Sequence, residues 1–246
     1  MLCRLLAALC LAAPAGAAGA AECRSVAQDG VDFTVCEADP ARDELRLFLN
    51  DAQGRPWAHF SRIEEALRGE GRRLVFAMNA GMYHEDRAPV GLYVEDGTER
   101  MRLVTSAGPG NFGLLPNGVF CLGEGRARVI ETGRFAEEAP PCRHATQSGP
   151  MLVIDGALHP RFLVDSTSRF IRNGVGTTAE GDRVVFAISE QPVTFHEFGR
   201  LFRDGLGLPQ ALYLDGSVSR LHAPALGRSD FGRAMGPVVG VVADGG

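Results

Sequence analysis

Short apolar stretches, several of them alternating strictly between apolar and polar positions, recur along the chain and predict β-strands. Alternation is clearest where Leu45, Leu47 and Leu49 share one face, whereas the continuous apolar run at residues 211–214 is typical of a strand buried on both faces. Strands are predicted on these grounds at residues 31–36, 44–50, 74–78, 183–189, 211–214 and 237–242. Glycine-containing turns between further apolar stretches predict hairpins at residues 90–105, 119–131 and 151–156.

Two segments carry the sequence of a capping box, in which Ser or Thr at a helix start is followed three residues later by Glu. Ser61 with Glu64 predicts a short helix that ends near residues 69–71, and Thr194 with Glu197 predicts a helix through about Leu206. Many hairpins and two clear helices indicate an α+β fold. We expect a single domain with a mixed, mostly antiparallel sheet and a few flanking helices.

Residues 1–21 resemble a secretory signal peptide. Residues 2–13 are apolar and alanine-rich with Arg4 ahead of the apolar run, and Ala18-Gly19-Ala20 offers a cleavage site. The stretch is too short for a confident membrane span. We therefore expect a mature domain at residues 22–246, without a membrane span, in the periplasm or outside the cell.

Four cysteines remain in the expected mature chain, and an even number in an exported protein suggests two disulfides. Three pairings are possible, and we favour the local one, Cys23–Cys36 with Cys121–Cys142. The spacing of these cysteines does not fit a zinc site, because no Cys-x-x-Cys pair and no His pair at ligand distance are present.

Composition excludes several kinds of chemistry. Every basic residue other than His is Arg, so a lysine Schiff base and a lysine-containing phosphate loop are both excluded. The net charge of −5 and the lack of basic runs beyond Arg72-Arg73 argue against a nucleic-acid partner. Residues 108–113 match a dinucleotide fingerprint formally, but Pro116 and Gly118 follow where a helix should begin, which indicates a loop. No cofactor is indicated, although a divalent cation stays open.

Four segments place polar residues and glycine next to each other at predicted strand ends: Asn79-Ala-Gly81, Gln147-Ser-Gly149, Arg172-Asn-Gly174 and Asp215-Gly-Ser-Val-Ser219. Strand ends of this kind commonly build pockets, because the strand fixes the backbone and glycine lets a ligand or another backbone approach. Ordinary turns use the same residue pairs, so any one segment is ambiguous. The four together favour a pocket.

Three side chains near these ends suggest chemistry. Asp215 ends an apolar run, where a carboxylate without partners is costly, so it is either a turn cap, a general acid or base, or an acceptor for ligand hydroxyls. The guanidinium of Arg172 could bind phosphate as a bidentate hydrogen-bond donor, or it could form a surface ion pair. In a strand, the side chain of Arg169 would point to the opposite face from that of Arg172. His84 lies in a charged loop that is either a solvated surface or part of the site.

In their order along the chain, these segments resemble the phosphodiester glycosidase family over about residues 74–242. The matching segments are Asn79-Ala-Gly81 with Pro89-Val-Gly91, Ser148-Gly-Pro150, Arg172-Asn-Gly-Val-Gly176 and Leu214-Asp-Gly-Ser-Val-Ser219. Ala80 and Ser217 stand where glycine is usual in the family. The resemblance implies hydrolysis of a sugar-1-phosphodiester with release of the sugar.

We therefore expect a periplasmic or secreted hydrolase that acts on a glycosyl phosphodiester or a related envelope glycan. Arg172 would bind the phosphate, and Asp215 would serve as acid or base, or would hold sugar hydroxyls. The remaining predicted substrate-binding residues are Asn79, His84, Gln147, Ser148, Asn173 and Ser219, with Ser219 also supporting Asp215. Asn79, Gln147, Ser148, Arg172, Asn173 and Asp215 are expected to converge in space.

Glycosidic cleavage generally uses two carboxylates. A phosphate leaving group is already stable as an anion, so the acid could be dispensable here. If a second carboxylate takes part, Asp165, Glu190 and Glu85 are the candidates. Two other functions stay open: a non-catalytic protein that binds an anionic sugar, and a metal-assisted phosphodiesterase with Asp86, Asp165 and Asp215 as oxygen ligands.

Overall fold

A computed structural model describes residues 21–215 and 218–245, so the predicted signal peptide lies almost entirely outside the described residues. In chain order the strands are β1 (Glu22–Gln28), β2 (Val31–Ala38), β3 (Glu44–Phe48), β4 (Arg72–Asn79), β5 (Tyr93–Glu95), β6 (Thr98–Met101), β7 (Gly118–Gly123), β8 (Arg126–Glu131), β9 (His144–Ser148), β10 (Met151–Ile154), β11 (Ala157–Leu158), β12 (Asn173–Thr177), β13 (Val184–Ser189), β14 (Gln210–Tyr213), β15 (Leu221–Ala223), β16 (Arg228–Ser229) and β17 (Val238–Asp244). The helices are α1 (Phe60–Gly69), α2 (Thr132–Glu138) and α3 (Phe195–Arg200); a π-helical turn, Leu201–Gly205, continues α3, and a 3-10 turn occupies Pro224–Leu226.

Three sheets share one central core. The strand orders are β1-β2-β13-β12-β14-β10-β11, β16-β15-β4-β17-β3 and β6-β5-β9-β7-β8. Neighbouring strands in all three sheets of the described chain are antiparallel. Phe76, Phe120 and Phe186, one from each sheet, lie in the same buried cluster, with ring centroids 5.4 and 5.6 Å apart.

Each sheet turns its other face toward one helix. Phe198 and Phe202 of α3 and its π-helical turn pack on the seven-stranded sheet, Ile63 of α1 packs on the sheet that contains β4, and Phe135 of α2 packs on the sheet that contains β9. The predicted antiparallel α+β fold is confirmed. The sequence predicted one sheet, and the structure has three, because strand periodicity carries no information about which strands pair.

The two predicted capping boxes have different outcomes. Thr194 accepts from the backbone N–H of Glu197, and the Glu197 carboxylate accepts from the N–H of Thr194, so this box is confirmed. The prediction at Ser61 is wrong, because α1 starts at Phe60 after His59, without a side-chain cap. Glu64 instead accepts from the N–H of Leu74, at the start of the neighbouring strand.

Helix α2 was not predicted. Its N-cap is Glu131, whose carboxylate accepts from the N–H groups of Gly133 and Arg134 at 2.9 Å, and this arrangement differs from the Ser/Thr capping-box pattern from which helix starts were predicted. The hairpin predicted at residues 90–105 is present but narrower, with strands at Tyr93–Glu95 and Thr98–Met101. Residues 108–113 form a loop without a helix, as predicted.

Both predicted disulfides are present. Cys23–Cys36 joins directly paired positions of β1 and β2, and Cys121–Cys142 joins β7 to the segment before β9. Across residues 21–215 and 218–245, no helix has the length and apolar character needed to span a membrane.

Replacement of Thr194 by Ala should lower the free energy of unfolding by about 1 kcal/mol, because the N–H of Glu197 loses its acceptor. Urea denaturation followed by circular dichroism measures the change. Ser61→Ala is the matched control, with an expected change within about 0.5 kcal/mol. A loss at Ser61 as large as that at Thr194 would contradict the assignment of the caps.

Candidate active site

The candidate site lies where the seven-stranded sheet meets the sheet that contains β4. Asn79 ends β4, Asn173 begins β12, Asp215 follows β14 by two residues, and Ser219 precedes β15. The structure brings these four residues into hydrogen-bonding contact, although 136 positions separate Asn79 from Asp215. The convergence expected from the sequence is therefore present for Asn79, Asn173 and Asp215, and Ser219 joins them.

Two fully buried asparagines form the centre of this contact. Asn79 donates from Nδ2 to Oδ1 of Asn173 at 3.2 Å and lies at the same distance from the carbonyl oxygen of Asp215. Asn173 donates from Nδ2 to the carbonyl oxygen of Asn79 at 3.0 Å, and Oδ1 of Asn79 accepts from the N–H of Arg220 at 2.9 Å. The amides thus satisfy each other and the backbone, which is a positioning role; contact with a substrate stays a prediction for both.

Ser219 completes the link between the two sheets. Its hydroxyl lies 3.0 Å from the carbonyl oxygen of Ile171, 3.2 Å from Oδ1 of Asn173 and 3.4 Å from the carbonyl oxygen of Asp215. The N–H of Asp215 donates to the carbonyl oxygen of Ala80 at 3.2 Å. The backbone at Asp215 is consequently held on both sides, which fixes where its side chain begins.

The Asp215 side chain lies beside two tyrosines. Asp215 is 7% exposed, and the Tyr83 hydroxyl, which lies 3.5 Å from the carbonyl oxygen of Ala234, is close enough to its carboxylate to interact with it. Burial, together with the negative charge of Asp215, raises the pKa of Tyr83 to about 12. Tyr213 also has its pKa raised to about 12, mainly by burial, with Asp215 adding to the rise and Arg172 opposing it. Both phenols therefore remain protonated, and able to donate, at neutral pH.

Arg172 lies on the far side of Tyr213 and is only 1% exposed. Its guanidinium donates to the carbonyl oxygens of Val193 at 2.8 Å and Ser168 at 3.1 Å, and its central carbon lies 5.3 Å from the ring centroid of Tyr213. Its central carbon lies 3.7 Å from the ring centroid of Phe195. Burial lowers the pKa of Arg172 from its ordinary value, with Tyr213 opposing the shift. The described contacts of this cation are with carbonyl groups and rings.

Arg220 is a second buried arginine, which the sequence analysis did not select. Its guanidinium lies against Gly232, where a Cβ would come 2.6 Å from Nη2. Burial lowers the pKa of Arg220, while Tyr83 and Asp230 oppose the shift. Asp215 is thus flanked by Tyr213 with Arg172 and by Tyr83 with Arg220. Tyr83 lies four residues after Asn79, and Arg220 directly follows Ser219. Their closeness in sequence to the selected motifs is the signal by which Tyr83 and Arg220 could have been predicted.

Gln147 and Ser148 are the last residues of β9, and this end of the strand packs closely against the turn after Asn79. A Cβ at Gly81 would overlap the carbonyl oxygen of Gln147, and this explains the glycine in that motif. The Gln147 side chain accepts from the N–H groups of Leu92 and Val104, both at 3.0 Å, and donates to the carbonyl oxygen of Val104. The amide group of Gln147 is therefore already hydrogen-bonded within the protein at both its oxygen and its nitrogen, which argues against the predicted contact with a substrate. Ser148 is fully buried, and its hydroxyl makes no hydrogen bond within the described chain.

The described hydrogen bonds of His84 and Glu190 are made with residues outside this arrangement. His84 is exposed in a tight loop in which its N–H donates to the carbonyl oxygen of Ala88. Glu190 is engaged by Thr34 and Arg228, each at 2.6 Å. Within residues 21–215 and 218–245, no three His, Cys, Asp or Glu side chains are grouped so that they could hold a metal ion, so the predicted donor set containing Asp86 and Asp165 is not assembled.

A cavity of about 740 Å³ lies beside the loop that carries Tyr83, but this cavity is separate from the candidate site at Asp215. Asp51, Asp86, Arg87 and Arg100 are among its lining residues, whereas Asp215 and Arg172 are not. The Asp51 carboxylate is already engaged by Arg55 and Arg62. Glu95 also lines this cavity; burial raises its pKa, and its carboxylate accepts from the Tyr93 hydroxyl at 3.2 Å. We place the candidate site at Asp215 because Asn79, Asn173 and Ser219 of the predicted motifs converge there and not at this cavity.

Comparison with known proteins identifies relatives. A family model described as phosphodiester glycosidase matches residues 72–241. The uncharacterized protein YigE of Escherichia coli (strain K12) is 33% identical over 184 residues, which cover 75% of this chain and 71% of that protein. Two solved structures share the fold. The catalytic domain of zebrafish N-acetylglucosamine-1-phosphodiester alpha-N-acetylglucosaminidase, auto-inhibited by its pro-peptide, superposes with a TM-score of 0.59 at 14% identity, over 90% of this chain and 81% of that one. A hypothetical protein from Synechocystis gives 0.57 at 15% identity, over 91% and 62%.

Because Asn79 and Asn173 satisfy each other, their replacements should be coupled. Asn79→Ala and Asn173→Ala should each cost about 1–3 kcal/mol of unfolding free energy, since each leaves a buried polar partner unsatisfied. The double variant should cost less than the sum by about 0.5–3 kcal/mol, measured by urea denaturation.

Asn50→Ala serves as the control for this cycle. Asn50 follows β3, which is separated from β4 by β17, so its replacement should add to that of Asn173 within about 0.5 kcal/mol. Strict additivity for Asn79 and Asn173 would show that the hydrogen bonds between them do not carry the energy assigned here.

Proposed function

Because the chain belongs to the phosphodiester glycosidase family, we propose that it is a periplasmic or secreted hydrolase that cleaves a glycosyl phosphodiester or a related envelope glycan. The single observation that carries the proposal is the position of Asp215, a buried carboxylate between two protonated phenols, each beside a buried arginine. The two disulfides support the oxidising compartment.

Asp215 is the acid or base of the proposed reaction. Water attacks the anomeric carbon, a carbon–oxygen bond to water forms, the bond from that carbon to the phosphate oxygen breaks, and Asp215 accepts the proton of the water. The phosphate monoester departs with the electron pair of the broken bond and is stable as an anion. One carboxylate is therefore enough, whereas most glycosidases need a second one to protonate the leaving group.

The two arginines supply positive charge for the phosphate. Arg172 is covered by Phe195 and Tyr213, so it acts on the phosphate through its field and through the Tyr213 hydroxyl that it polarises. A buried cation acts over a longer range than an exposed one, because water does not screen it. Arg220 provides a second charge next to Tyr83. Charge that is arranged before the reaction stabilises the departing phosphate at no cost of reorganisation.

Loss of Asp215 or Arg172 should abolish most of the turnover. With the methyl ester of N-acetylglucosamine 1-phosphate, chosen after the name of the zebrafish relative, Asp215→Asn should lower kcat about 10²–10⁴-fold. Arg172→Ala should lower kcat/KM at least about tenfold. Release of the free sugar measures both, with and without a chelator.

Arg203→Ala is the matched control, because Arg203 is half-buried, lies within the π-helical turn and is paired with Asp204. It should hydrolyse the ester at the wild-type rate. Tight binding without turnover would indicate the non-catalytic sugar-binding protein, and loss of turnover with chelator would indicate metal assistance. Wild-type turnover by both Asp215→Asn and Arg172→Ala would refute the site.

Tyr83 should tune the charge state of Asp215. A hydroxyl that donates to a carboxylate favours its ionised form, so Tyr83→Phe should make Asp215 harder to ionise. The acid limb of the pH profile of kcat/KM should therefore move to higher pH, with a smaller loss of rate at high pH than at low pH. A uniform loss of rate with an unmoved acid limb would indicate that Tyr83 has a structural role only.

A further inference from the structure

One segment of the chain exposes apolar side chains next to the candidate site. Leu163, Val164 and Phe170 are 65%, 78% and 54% exposed, and they are three of the five large hydrophobic residues exposed in the described chain. We refer to residues 161–170 as the apolar loop. Single exposed hydrophobic residues are common, but a cluster on one segment is typical of a binding surface.

The apolar loop is fixed to the protein. Phe170 and Val193 exchange backbone hydrogen bonds at 3.1 and 2.9 Å, and Arg169 pairs with Glu197 at 2.7 Å. The ring of Phe162 stacks on that of Phe195, with centroids 5.1 Å apart. These anchors hold Leu163 and Val164 toward solvent in a defined place, which is costly unless a partner covers them.

The apolar loop is also continuous with the buried positive charge of the site. The carbonyl oxygen of Ser168 accepts from Arg172, and the Phe170 ring lies 5.4 Å from the guanidinium carbon of Arg172. Phe195, which carries the stacked Phe162, covers the same guanidinium at 3.7 Å. A cation and an exposed apolar surface therefore adjoin, and this combination is complementary to an amphiphile with an anionic head and an alkyl chain.

We propose that the apolar loop binds the alkyl chain of a lipid alcohol esterified to the substrate phosphate, an inference that rests on the proposed function. The substrate class is then a glycosyl phosphodiester of a long-chain alcohol. The sugar lies at Asp215, the phosphate in the field of Arg172, and the chain along Leu163, Val164 and Phe170. A polar alcohol would leave these three side chains uncovered.

A series of esters of N-acetylglucosamine 1-phosphate with methanol, butanol and octanol tests the proposal below the concentration of micelle formation. Full burial of one methylene contributes about 0.8 kcal/mol, or about fourfold in affinity. An open surface covers only part of the chain, so KM should fall at least about tenfold from methyl to octyl, with kcat unchanged. Leu163→Ser with Val164→Ser should abolish the dependence on chain length and leave the methyl ester unaffected.

Leu226→Ser is the matched control, because Leu226 is 44% exposed in the 3-10 turn outside the apolar loop. It should keep the full dependence on chain length. Hydrolysis of all three esters with equal KM would overturn the lipid substrate and leave the proposed function standing. A wild-type dimer that the double serine variant converts to monomer would also overturn it, because a second copy would then be the occupant.

If none of the esters is hydrolysed, that result counts against the proposed function. Measurements of binding then still test whether the apolar loop takes up an alkyl chain. Calorimetric titration should give ethyl octyl phosphate an affinity at least about tenfold above that of diethyl phosphate, and the double serine variant should lose the difference. Equal affinities for the two phosphates in the wild-type protein would overturn the proposal.

Discussion

The hydrogen bonds that join Asn79 and Asn173 are the interaction on which the site depends. They connect the end of β4 in one sheet to the start of β12 in another, and the same amides lie against the carbonyl of Asp215 and the N–H of Arg220. Both side chains are fully buried, so each amide group without a partner would carry a desolvation cost. The geometry around Asp215 is therefore fixed by the same contact that joins the sheets.

The architecture around this contact explains why so polar a site can be buried. Three sheets share a central apolar core, and each has one helix on its outer face, so the sheet ends are held by packing on both sides. At one junction, Arg172 and Arg220 lie out of water, and burial lowers the pKa of both, although Tyr213 opposes the shift at Arg172 and Tyr83 and Asp230 oppose it at Arg220. The proposed stabilisation of a phosphate anion requires such charge, and buried groups with shifted pKa values are common at functional sites.

The sequence predicted the parts of this arrangement that leave a local signal. Strand positions followed from alternation, and Asn79, Asn173 and Asp215 were recognised because polar residues beside glycine interrupt apolar runs. The division into three sheets had no such signal, since pairing depends on contacts between distant strands. Ser61 and Thr194 carry the same capping pattern, but Glu64 makes a tertiary hydrogen bond to Leu74 that the pattern does not contain. Gln147 was selected as a polar residue at a predicted strand end, and only the structure reveals that its side chain is hydrogen-bonded to the backbone of Leu92 and Val104.

The central claim is that a glycosyl phosphodiester binds beside Asp215 between Tyr83 and Tyr213. A crystal structure of the protein with a non-hydrolysable glycosyl phosphonate tests this most directly. The account predicts the anomeric carbon within reach of the Asp215 carboxylate and the phosphonate on the side of Tyr213 and Arg172. A phosphonate bound instead in the 740 Å³ cavity, against Arg87 and Arg100 and away from Asp215, would contradict it.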